Sequence, residues 1–154
     1  MPRIELETHI QAPIERVFDL ARDIDFHQKS QAHKGERAVA GVKSGLIELG
    51  DWVTWEAKHF GIRQQLTSKI TRMQAPDSFR DSMLRGAFAS FDHDHLFRSD
   101  GQGGTLMTDV FCFESPGGPL GHLANRLFLT RYMTQLLEER NLMLKATAEE
   151  QASA

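Results

Sequence analysis

The chain has one cysteine, Cys112, and a lone thiol excludes both an intramolecular disulfide and a cysteine-based zinc site. Such cysteine usage fits a reducing compartment, so a cytoplasmic location is expected. Long apolar runs are also missing. The opening Met-Pro-Arg-Ile-Glu-Leu-Glu alternates charge with apolar residues, so neither a signal peptide nor membrane insertion is expected. Lysine and arginine form no basic stripe, the signs being interspersed around a net charge of −3, and nucleic acid is not expected as a partner. Glycine motifs for phosphates are absent too: Gly101-Gln-Gly-Gly104 joins two strand patterns, and Gly117-Gly118-Pro119-Leu120-Gly121 lacks dinucleotide spacing. There is no Gly-x-Ser-x-Gly elbow, and Cys112 reads as a small buried hydrophobe rather than a nucleophile. No cofactor is called for.

What is present is enough for a core. A chain of 154 residues with 40% hydrophobic positions is the size of a single domain, burying roughly 70% of its unfolded surface without help from disulfide or metal. Ile4, Leu6, Thr8 and Ile10 alternate with Glu5, Glu7 and His9, the period of a half-buried strand. Pro13 ends it and opens a helix carrying Ile14, Val17, Phe18 and Ala21 on one face, with a further helical turn near Ile24 to Gln28. Six strand patterns follow, Glu36 to Val42, Asp51 to Phe60, Ile62 to Met73, Ser78 to Arg85, Ala87 to Arg98 and Thr105 to Glu114. The joints between them are short and rich in Gly, Pro, Ser or Asp, which makes successive strands antiparallel. From Leu120 to about Lys145 good helix formers run without an internal proline, after Pro116 and Pro119 break the last strand. Residues 1–146 are expected as one domain and 147–154 as a frayed tail.

The last helix carries two apolar stripes. Leu120, Leu123, Ala124, Leu127 and Phe128 share one face, and Leu129, Met133, Leu136, Leu137 and Leu144 nearly the opposite one. The buried side changes near Phe128, so either the helix bends there or its first half faces something other than its second half, such as a pocket or a partner subunit of a homodimer.

This order of elements, with Ile-Gln-Ala-Pro-Ile-Glu-Arg-Val-Phe-Asp-Leu at 10–20, Gly50-Asp51-Trp52-Val53 and a helix start at Pro119, resembles the START-like superfamily, also called SRPBCC. That group includes plant pollen allergens, lipid-transfer domains and polyketide cyclase/dehydrase-like proteins. The resemblance implies an α+β helix-grip fold: a curved seven-stranded antiparallel sheet wrapped around a long C-terminal helix, with two short helices after the first strand. His59-Phe60-Gly61, Gly86-x-Phe88, Phe91-x-His93-x-His95 and Leu129-x-x-Tyr132 are similar to a bacterial subset, from which no catalytic residue is carried over.

Several residues could carry chemistry. Phe91, His93, His95 and Phe97 share one strand face, too polar for plain core and too apolar for solvent, as a pocket wall would be. Two imidazoles at this spacing can share a metal ion only with a third ligand, for which His59 and Asp109 are the candidates. Neither is evident as that ligand, so no metal is expected. The bland reading of the pair is structural. Trp55 lies inward with Val53, Ala57 and His59, while Trp52 lies outward with Glu56 and Lys58; core packing alone would also explain Trp55. Arg85 and Asp109 are charged candidates for the interior alongside Phe79, Met83 and Phe111, against the alternative of solvated strand ends. Phe128 and Tyr132 sit where the helix stripe changes sides.

Three functions follow. The first is binding of a small apolar molecule between sheet and helix. The second is a cofactor-independent cyclase or dehydratase, with His93, His95 or Asp109 moving a proton and Arg85 or Tyr132 stabilising an enolate oxygen. The third is a regulatory or dimerising domain, resting on the second helix stripe alone.

Overall fold

The computed structural model describes residues 2–115 and 119–153, with side chains left out of the description for 119–126 and 153. Strand β1 (Arg3–Ile10) is followed by helices α1 (Ile14–Ala21) and α2 (Ile24–Ser30) and a short 3-10 turn at Ala32–Lys34. Then come β2 (Arg37–Gly41), β3 (Trp52–His59), β4 (Ile62–Gln74), β5 (Ser78–Arg85), β6 (Ser90–Ser99), β7 (Thr105–Glu114) and α3 (Pro119–Ser153). The seven strands form one antiparallel sheet in the order β1-β7-β6-β5-β4-β3-β2. This is the helix-grip architecture expected from the sequence. Among the described residues no helix is long and apolar enough to cross a membrane.

Local chemistry explains the joints that set the sheet's edges. Asp23 caps α2 by accepting hydrogen bonds from the backbone N–H of Asp25 and Phe26, which fixes the entry of that helix. The β3–β4 joint is two residues long, and both Phe60 (φ 54°) and Gly61 (φ 74°) take the left-handed conformation. A tight hairpin of that type matches strand twist, but a non-glycine residue there costs roughly 1–2 kcal/mol.

Helix α1 is held to the sheet by Phe18, whose ring meets Phe79 and Phe97 edge-on at 5.6 and 5.4 Å. Each such pair adds about 0.5–1.5 kcal/mol beyond area burial. The core divides into two apolar clusters. One gathers Phe18, Phe79, Phe97, Met107 and Leu144; the other gathers Ile4, Phe91, Phe111, Phe113 and Leu137. Between them lies a polar layer.

The C-terminal end of α3 differs from expectation. The helix continues to Ser153 instead of fraying after 146. Ala148 is fully buried, and Glu149 Oε2 accepts from Gln11 N at 2.9 Å and from Lys145 Nζ at 2.7 Å, so this segment is packed and bonded. Of the two stripes, the one carrying Leu129, Met133, Leu137 and Leu144 faces the sheet. Leu127 and Phe128 are exposed, and the side chains of Leu120, Leu123 and Ala124 lie outside the described residues.

Candidate functional site

Between the concave sheet and α3 there is a cavity of about 480 Å³, within the range of small-molecule sites. Its apolar wall includes Trp55, Phe88, Phe91, Phe111, Leu129 and Leu137. The alternation on β3 places Val53, Trp55, Ala57 and His59 on this wall and leaves Trp52 43% exposed on the other face.

The polar layer forms the floor. Asp81 on β5 stands opposite His93 on β6, and His95 on β6 stands opposite Asp109 on β7, so four titratable side chains meet across three strands. The Asp109 carboxylate is completely buried. Burial alone would raise it, but the hydrogen bond from His93 and the charge of Arg140 outweigh this and hold it well below the usual carboxylate range. An ionised carboxylate only accepts, so His93 Nε2–H donates to Asp109 Oδ1, at 2.7 Å. Helix α3 completes the shell, Asn141 Nδ2 donating to Asp109 Oδ2 at 2.8 Å and Arg140 Nη1 to Oδ1 at 3.2 Å.

His95 is bonded on both sides. Its Nε2–H donates to Asp81 Oδ2 at 2.8 Å, and its Nδ1 lies 3.5 Å from Arg140 Nη2. Burial, with the neighbouring His93, pushes this imidazole down to about 4. For Asp81 burial pulls upwards, but the His95 hydrogen bond and the nearby cationic groups prevail and hold it below its ordinary value. The two imidazoles lie 3.8 Å apart, and Phe79 stacks on His95 at 4.1 Å.

A second polar group sits at the opposite end. His59 Nδ1 and Tyr132 Oη are hydrogen-bonded at 2.6 Å, and burial lowers His59 from its usual value. Phe60 packs on Tyr132 at 4.5 Å and on Phe128 at 5.2 Å. His27 bonds Glu36 at 2.6 Å and lies against Trp55 at 4.2 Å. Gln31 also lines the cavity, and its Oε1, itself buried, has no hydrogen-bond partner among the described residues.

Of the residues singled out from sequence, Trp55, His59, Phe91, His93, His95, Phe111, Phe128 and Tyr132 border the cavity, Phe128 at its exposed rim. Asp109 lies behind the floor, bonded to His93. Arg85 does not belong. A bulge opposite Thr67 and Ser68 breaks the alternation after Met83, and Arg85 ends up exposed, where its charge stays solvated. Met83 is half-buried and packs on the second apolar cluster, outside the cavity lining.

Asp81, Arg140 and Asn141 were missed. Asp81 lies midway between Phe79 and Met83, so the period of two already put it on their face. Arg140 and Asn141 fall between Leu137 and Leu144 on the buried stripe, where a charge is out of place. With Asp81 beside it, the histidine pair does have a candidate third ligand, which neither His59 nor Asp109 supplied in the sequence.

The profile of one family, described as polyketide cyclase/dehydrase and lipid transport, matches residues 1–149. The chain belongs to that family. Its fold is shared by TTHA0849 of Thermus thermophilus, at 20% identity and a TM-score of 0.72, covering 96% of this chain and 99% of that one. It is also shared by a START superfamily protein of Mycobacterium smegmatis, at 13% identity and 0.71, covering 96% and 97%. Major latex-like protein 151 of Panax ginseng has 14% identity and a TM-score of 0.63, over 96% and 97% of the two chains. No curated protein matches the chain significantly. Family and fold together support ligand binding in general.

Proposed function

We propose that the protein binds a small, largely apolar molecule in the cavity between the sheet and α3. The observation carrying this reading is the composition of the cavity: aromatic and aliphatic walls with a few fixed polar groups. The polar groups also indicate what the ligand lacks. Arg140 is already committed to Asp109, and the floor holds two carboxylates against one guanidinium, so an anionic head is disfavoured there.

Ala57 lines the cavity with a small side chain, and a larger one there would occupy the ligand's space. Titration of the neutral amine N-phenylnaphthylamine should show saturable binding of one probe per chain. In Ala57→Phe that binding should fall by at least tenfold while circular dichroism and urea unfolding show a folded protein. Undiminished binding in a folded variant would place the probe elsewhere and remove the cavity from the account.

A further inference from the structure

We propose that Asp81, His93 and His95 form a binding site for one divalent transition-metal ion at the floor of the cavity. Each of the three side chains offers one ligand atom, and these atoms all lie within 4.8 Å of one another. Asp81 Oδ2 lies 2.8 Å from His95 Nε2 and 4.0 Å from His93 Nδ1. An ion bonded at about 2.0–2.2 Å to nitrogen and oxygen needs its ligand atoms roughly 3–3.6 Å apart, so small side-chain adjustments suffice.

The groups behind these atoms make the stronger case. A ligating histidine ordinarily gives its second ring nitrogen to a carboxylate, which orients the ring and raises its basicity. Here the rear nitrogens of both rings face one carboxylate: His93 Nε2 lies 2.7 Å and His95 Nδ1 3.5 Å from Asp109 Oδ1. Asp109 is itself held by Asn141 and Arg140. Metal binding would move the His95 proton from Nε2 to Nδ1, exchanging the bonds to Asp81 and Arg140 for one to Asp109.

Charge favours the same outcome. The layer gathers two acidic side chains, Asp81 and Asp109, against one guanidinium, Arg140, so a cation placed there meets more acidic than basic groups. A lone general base at His93 would use the Asp109 contact but would leave the convergence of His95 and Asp81 without a purpose. Two imidazoles and one carboxylate suit zinc, iron(II) or cobalt(II), and all three ligands border the cavity, so the remaining coordination positions open towards its occupant. An oxygen of the bound molecule would be the group the ion polarises. This site stands apart from the reading of the cavity as an apolar binding site, because metal can bind without the organic ligand.

The test is titration of chelator-treated full-length protein with Co²⁺ alone, followed by visible absorption and calorimetry. One ion per chain is expected. Asp81→Asn and His93→Gln should each weaken binding by roughly a hundredfold or more, and Asp109→Asn by about 10–100-fold, as removal of an orienting partner does. His33→Ala, at the exposed pair with Glu139, should change nothing. Because buried substitutions can unfold the chain, histidine ring resonances of the wild type provide a second readout: Co²⁺ should shift or broaden those of His93 and His95 first, ahead of His9 and His33. No saturation at one equivalent, or binding that persists in folded Asp81→Asn and His93→Gln, would overturn the proposal. So would resonance changes confined to the surface histidines.

Discussion

His59 illustrates how a single buried imidazole ties the cavity mouth to pH. In the unfolded chain it gains a proton near its ordinary value of 6.5, whereas in the folded protein burial lowers that value. As pH falls through 6.5, the unfolded state therefore binds more protons than the folded one, and stability declines until the folded value is passed. Above 6.5 the contribution is fully present. Following the His59 ring signal by NMR should give a midpoint below 6.5, and His59→Gln should flatten part of the decline in urea-unfolding free energy on acidification. A midpoint at or above 6.5 would contradict the packing of this ring against α3. At this scale the sequence was informative where alternation is unbroken: His59, Trp55, His93 and His95 all lie on the faces that the period of two assigns. It misled at Arg85, because a bulge depends on the partner strand and leaves no mark in the strand's own residues.

At the scale of elements, the C-terminal end of α3 shows how composition can hide packing. Ala148 continues the stripe of Leu144 four residues on, but with a side chain so small that the segment reads as polar tail. Its burial is complete all the same, and Glu149 closes a bond to the backbone after β1. Removing residues 148–154 should therefore lower the unfolding free energy by about 2 kcal/mol, from one lost hydrogen bond and the uncovered apolar surface. Urea denaturation of the truncated chain measures this directly. Unchanged stability would mean that the last two turns are ornamental. The polar layer was hidden for a related reason. Asp81, Asp109 and Arg140 come from β5, β7 and α3, and only cross-strand register and the rotation of α3 decide that they meet.

For the whole molecule, the architecture was legible because its signals are local: alternation within strands, turn residues between them and a proline-bounded helix at the end. The interior was less so, because a cavity is a relation among distant elements. Binding of an apolar molecule in that cavity is the claim on which the proposed function stands. The two tryptophans of β3 report on it from opposite faces, Trp55 buried on the wall and Trp52 exposed. A brominated long-chain alcohol quenches tryptophan only at near contact, so such a probe in the cavity should quench the tryptophan that lines it and not the one on the opposite face. With both variants folded, titration should quench emission strongly in Trp52→Phe, which retains Trp55, and much more weakly in Trp55→Phe. Quenching that instead follows Trp52 would place the probe outside the cavity and contradict the proposed function.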